Sequence, residues 1–77
     1  MILAIDIGNT NIVLGGFREQ DVIFRERIST NHTATALEYA ATIKTAFEMN
    51  SIDTKSVEGA IISSVVPAVT NTVKSAI

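Results

Sequence analysis

Ile2-Leu3-Ala4-Ile5-Asp6-Ile7-Gly8-Asn9-Thr10 follows Met1, and the fold turns on how this stretch is read. Residues 2–7 are apolar except for Asp6, the pattern of a β-strand covered on both faces. Gly8-Asn9 then supplies a turn, since glycine tolerates positive φ and asparagine is the next best residue there. Residues 10–17 read as a second strand, with Ile12 and Leu14 on one face and Val13 on the other. Arg18-Glu19-Gln20-Asp21 is a polar turn. It leads into a third strand in which Val22, Phe24 and Ile28 alternate against Arg25 and Arg27. The three form an antiparallel meander whose third strand is the most solvated.

A polar connection from Ser29 to Thr33 leads to a helix over about Thr35 to Met49. Thr35 and Glu38 have the spacing of a capping box, with Thr33 as the alternative cap. Ala36, Ala40, Ile43 and Phe47 fall in one stripe at about 100° per residue, with Tyr39 and Ala46 at its border, and are read as core. Asn50-Ser51 is the stop and residues 51–57 a linker. Gly59 to Val66 reads as a buried fourth strand. Pro67 suits the first turn of a second helix, on which Val69 and Val73 lie one turn apart. The order is βββαβα, an α/β chain. A helical crossover implies a fourth strand beside and parallel to the first, bringing Ser64 near Asp6.

Asp6 is the anomaly. A carboxylate inside an apolar strand needs a partner, a proton or a cation. This one lies near the carboxyl end of its strand, where open α/β sheets place ligands. Backbone N–H groups freed in the turn, with the Asn9 amide and the Thr10 hydroxyl, make an anion-binding concavity. A nearby carboxylate can orient hydrated Mg²⁺, which keeps its waters and uses few protein carboxylates. These parts fit a nucleotide-phosphate site. They also fit an ordinary hairpin in which Asp6 merely accepts from turn N–H groups, and spacing alone leaves both open. No G-x-x-x-x-G-K-[ST] phosphate loop exists in the chain.

The 77 residues are 47% hydrophobic, with no cysteine and one histidine, so neither a disulfide nor a metal staple supports so short a core. The chain is therefore expected to be part of a larger domain, to leave one sheet face and an unfinished helix uncovered, and to self-associate in isolation. The net charge is −2 and the six basic residues (Arg18, Arg25, Arg27, Lys44, Lys55, Lys74) are scattered, which argues against a nucleic-acid partner. No apolar run approaches the ~18–20 residues of a membrane span, and no secretory leader is visible, so the cytoplasm is the expected location. His32 has no companion His or Cys to complete a metal site and reads as a loop residue. Asn31-His32-Thr33 matches a glycosylation acceptor, which carries no weight without a secretory signal.

Asp6-Ile7-Gly8-Asn9-Thr10 resembles the first phosphate motif of the acetate and sugar kinase, heat-shock chaperone and actin superfamily, which opens with Asp-x-Gly on the first strand of a ribonuclease-H-like domain. Asn9-Thr10 after the glycine is similar to type III pantothenate kinases in particular. The likeness continues at Arg27-Ile28-Ser29-Thr30, at Glu38-Tyr39 and at Ser63-Ser64-Val65-Val66-Pro67, in order along almost the whole chain.

The resemblance implies a ribonuclease-H-like (actin-like ATPase) half-domain occupying residues 1–77. It implies ATP-dependent phosphorylation of pantothenate in coenzyme A synthesis, with Mg²⁺ and a monovalent cation, K⁺ or NH₄⁺. Carried over, Asp6, Gly8, Asn9 and Thr10 would hold the phosphates of ATP, Asp6 acting on Mg²⁺ through water. Ser64-Val65-Val66-Pro67 is accounted for as a strand end followed by a proline-started helix. The family's Gly-x-Asp-Arg motif, with its catalytic base and pantothenate contacts, and its second phosphate loop do not occur in the chain, so no catalytic residue is expected here and the chain alone should be inactive. The family's active site lies at a homodimer interface, so a second copy is the expected partner. Two rivals are an actin- or chaperone-like ATPase and a regulatory protein of the same family. Asn9 and the Ser-Val-Val-Pro run oppose the first, and the scattered charge and lack of a helix-turn-helix pattern oppose direct DNA binding by the second.

Overall fold

In the computed structural model, which describes residues 1–77, alternation of apolar residues builds four strands. They are β1 (Ile2–Ile7), β2 (Asn11–Arg18), β3 (Asp21–Ser29) and β4 (Gly59–Ser64). Two helices, α1 (Ala36–Met49) and α2 (Pro67–Ala76), complete the order βββαβα, with a single 3-10 turn at Thr54–Ser56. The sheet order is β3-β2-β1-β4, antiparallel among the first three strands, with β4 parallel to β1. This is the expected ribonuclease-H-like arrangement. β3 and β4 run the same way on opposite edges, so α1 has to cross over the sheet between them.

Local signals set the ends of α1. Thr35 is the N-cap and both halves of the capping box form: Glu38 N–H donates to Thr35 Oγ1 at 3.2 Å, and Thr35 N–H donates to Glu38 Oε1 at 3.1 Å. Thr33, the alternative cap, instead bonds Asn31 Oδ1. Asn50 closes the helix, its Nδ2 donating to Glu26 Oε1 of β3 at 3.0 Å, and Ser51 follows in the left-handed region at φ 57°. The buried stripe is Tyr39, Ile43, Ala46 and Phe47, rotated from the expected one. Tyr39 and Ala46, expected only at its border, are buried, whereas Ala36 and Ala40 are only half-buried.

Odd-numbered residues of β1 (Leu3, Ile5, Ile7) meet Ile12, Leu14 and Phe24 of the neighbouring strands, and both helices cover this one face. Ile5, Ile7, Ile12, Leu14 and Val73 are fully buried, each worth about 1.5–3 kcal/mol. Phe24 and Phe47 pack edge to face, with ring centroids 5.2 Å apart. Coverage of β1 on both faces, expected from its apolar run, is not found, because α1 and α2 pack on the same side. Ile2, Ala4 and Asp6 look out from an open face shared with Phe17, Val22 and Ile61.

The third strand departs from simple alternation. Gly16 pairs with Phe24 and Phe17 with Val22, leaving Ile23 as an extra, bulged residue. The bulge puts Phe24 in the core but sends Val22, 59% exposed, to the open face. The polar turn shrinks to Glu19-Gln20, with Glu19 left-handed at φ 57°. β4 ends two residues before Val66, which instead turns into the core as the N-cap of α2, with Pro67 at the first helical position.

Gly16 is required by packing, since a Cβ there would lie 2.5 Å from the Phe24 ring and 2.6 Å from Met1 Sδ. Gly16→Ala should therefore cost about 1–3 kcal/mol in urea unfolding, as overpacking of a filled core does. Because the open face carries Phe17, Val22 and Ile61, static light scattering of the 77-residue chain should give a mass above the monomer that rises with concentration. A folded monomer at high concentration would contradict this.

Candidate phosphate-binding site

Asp6 is the penultimate residue of β1 and, being even-numbered, projects from the open face rather than into the core. Its carboxylate makes no hydrogen bond, and the only ion pair in the chain joins the Met1 amino group to Glu58. The reading in which Asp6 serves as acceptor for turn N–H groups is therefore not what the chain does. Register puts Ser63 of β4 and Val13 of β2 on either side of Asp6, and Arg27 of β3 beyond Val13. Residues paired in register share a face, so Ser63, not Ser64, is the lateral neighbour of Asp6. Ser64 pairs with Ile7 and points the other way. Its hydroxyl accepts from Val66 N–H at 2.9 Å, which accounts for its place at the strand-to-helix junction.

Gly8, Asn9 and Thr10 form the hairpin between β1 and β2, where Gly8 N–H donates to the Asn11 carbonyl at 2.9 Å. Gly8 does not take positive φ, contrary to the reason first suggested by its place in a turn. Glycine suits the position because a Cβ would crowd the Asn11 carbonyl oxygen at 3.1 Å. The backbone N–H groups of Asn9 and Thr10 have no acceptor in the chain, and both residues are exposed. Two free N–H donors, the Thr10 hydroxyl and the unpartnered Asp6 carboxylate thus cluster at the carboxyl end of the central strand. Donors in a tight turn bind phosphate oxygens, and a free carboxylate tolerates that neighbour only with a cation or its hydration shell between them.

In the sequence His32 has no evident role, and Thr30 and Tyr39 stand out only as motif positions. The folded chain brings all three to this hairpin or its support. Thr30 Oγ1 donates to the Gly8 carbonyl at 2.7 Å, Thr30 N–H to the Thr10 carbonyl at 2.8 Å, and His32 Nε2 lies 3.1 Å from the Asn9 carbonyl. The buried Tyr39 hydroxyl bonds both backbone groups of Asn31. Arg27-Ile28-Ser29-Thr30 and Glu38-Tyr39 were the signals available in sequence. They marked the segment without saying what it touches. No three His, Cys, Asp or Glu side chains come together to cage a metal ion, and no helix is long and apolar enough to cross a membrane.

Residues 2–77 match the family described as type III pantothenate kinase. The type III pantothenate kinase of Finegoldia magna is 47% identical over 77 residues, all of this chain and 29% of that protein. Those of an Exiguobacterium species and of Exiguobacterium sibiricum are 48% and 46% identical over 69 residues, 90% of this chain and 27% of each relative. The chain thus spans less than a third of the length of these curated relatives. A match that runs from β1 through α2 at this identity shows the family, and the chain belongs to the type III pantothenate kinases.

Proposed function

We propose that residues 1–77 are the N-terminal part of a ribonuclease-H-like ATP-binding domain and supply the first phosphate-binding hairpin of a pantothenate kinase. The complete polypeptide would transfer the γ-phosphoryl group of ATP to pantothenate, giving 4'-phosphopantothenate for coenzyme A synthesis. One observation carries this reading. An unpaired carboxylate, Asp6, stands beside two unpaired backbone donors, Asn9 and Thr10 N–H, at the carboxyl end of the central strand.

Phosphoryl transfer depends mainly on positioning and electrostatic stabilisation. Asn9 and Thr10 N–H and the Thr10 hydroxyl donate to phosphate oxygens. Asp6 is free to accept from metal-bound water, so this donor set fits Mg²⁺ held through its hydration shell. Bound Mg²⁺ would neutralise phosphate charge. The catalytic base and pantothenate contacts belong to the remainder of the polypeptide and to a second copy across a homodimer interface. An ATP-dependent step on a small metabolite suits the cytoplasm.

Asp6→Asn in the complete polypeptide should lower kcat with little change in Tm, since the side chain bonds nothing in the fold. Steady-state kinetics beside a thermal melt test this, and near-normal turnover would remove the metal role. Thr10→Val should raise the KM for ATP by the equivalent of about 0.5–1.5 kcal/mol, one ordinary hydrogen bond, while leaving the KM for pantothenate unchanged.

A further inference from the structure

Three consecutive carbonyls of the hairpin, those of Gly8, Asn9 and Thr10, are all bonded by one short segment. Thr30 Oγ1 holds the first at 2.7 Å, His32 Nε2 the second at 3.1 Å and Thr30 N–H the third at 2.8 Å. A trans peptide is planar, and its C=O and N–H point in opposite directions. Drawing the Gly8 carbonyl towards Thr30 therefore turns the Asn9 N–H away. Drawing the Asn9 carbonyl towards His32 does the same for the Thr10 N–H. These are the two N–H groups that have no acceptor in the chain.

The segment is itself anchored. The Tyr39 hydroxyl accepts from Asn31 N–H at 2.9 Å and donates to the Asn31 carbonyl at 2.7 Å, locking the residue between Thr30 and His32. Tyr39 lies in the buried face of α1, and Asn31 Oδ1 receives Thr33 N–H and Oγ1 at 3.0 and 2.9 Å. A rigid helix thus fixes a loop, and the loop fixes the orientation of two peptide planes. A single bond would be enough to tether the hairpin. Bonding every carbonyl of the turn sets the direction of each N–H as well.

We propose that Thr30, His32 and Tyr39 are positioning residues that preset the Asn9 and Thr10 N–H groups to receive the oxygens of an anionic triphosphate. The proposal rests on the reading that this hairpin holds the phosphates of ATP. Donors oriented before the ligand arrives lose nothing to reorganisation, and their disordering shows as lost affinity.

Calorimetric titration of the complete polypeptide with ATP, paired with thermal melts, tests it. Thr30→Val and Tyr39→Phe should raise the ATP Kd on the order of tenfold, the value of one hydrogen bond to a charged group, and Thr30→Ser should restore it. His32→Ala removes an exposed ring and cannot open the core, so it reads the effect even where Thr30→Val does not fold; it should weaken ATP several-fold at nearly unchanged Tm. ATP affinities within twofold of wild type for His32→Ala and Tyr39→Phe, with only Tm lowered, would make the network a structural tether and overturn the proposal. A wild-type polypeptide that binds no ATP would overturn the phosphate reading itself, and the positioning role with it.

Discussion

β1 is hydrogen-bonded along both edges, to β2 antiparallel and to β4 parallel, while its side chains alternate between a covered and an open face. That double pairing is what the rest of the chain depends on. It makes a strand at the chain's start the centre of the sheet, and places Leu3, Ile5 and Ile7 under both helices. With a period of two, burying the odd residues obliges Asp6 to face outward. A one-residue slip would bury a carboxylate and expose Ile5 and Ile7. The core and the candidate site are therefore specified by the same register.

The helices act through different surfaces of that arrangement. Ile43 and Phe47 of α1 join Val69 and Val73 of α2 over the strands, where the Phe24–Phe47 contact links the helix layer to an edge of the meander. One turn before Ile43, Tyr39 is equally buried, but spends its hydroxyl on Asn31. Packing and polar anchoring thus meet on one helix. The capping box at Thr35 and Glu38 fixes where that helix starts, and so how Tyr39 stands relative to the loop it holds.

Much of this was legible in the residues. The capping box, the Asn50-Ser51 stop and Pro67 at the start of α2 are local devices acting within a few residues, and each formed as read. The crossover logic placed β4 beside β1 because a parallel strand has few other options. Adjacent motif residues Asp6, Gly8, Asn9 and Thr10 stayed adjacent. The misread points have a common cause. Val22 looked like core by alternation, yet the Ile23 bulge reverses its face. Ala36 and Ala40 matched the helical period, yet Tyr39 and Ala46, at the border of that stripe, are the more buried once α1 lies on the sheet. An apolar run on β1 suggested two covered faces, though a run cannot say which side the helices take.

By itself the sequence determined the elements, their order, the family and the residues of the candidate site hairpin. Those depend on periodicity, caps and contiguous motifs, all short-range. Tertiary structure decided that Ser63 rather than Ser64 flanks Asp6, that only one face of the sheet is covered, and that Thr30 and His32 bind the hairpin carbonyls. The Thr30 bond spans 22 residues, the His32 bond 23, and Asp6 meets Ser63 across most of the chain. No local propensity encodes such pairs. They arise when burial of the odd face of β1 sets the register, and the backbone's remaining donors and acceptors then find partners across it.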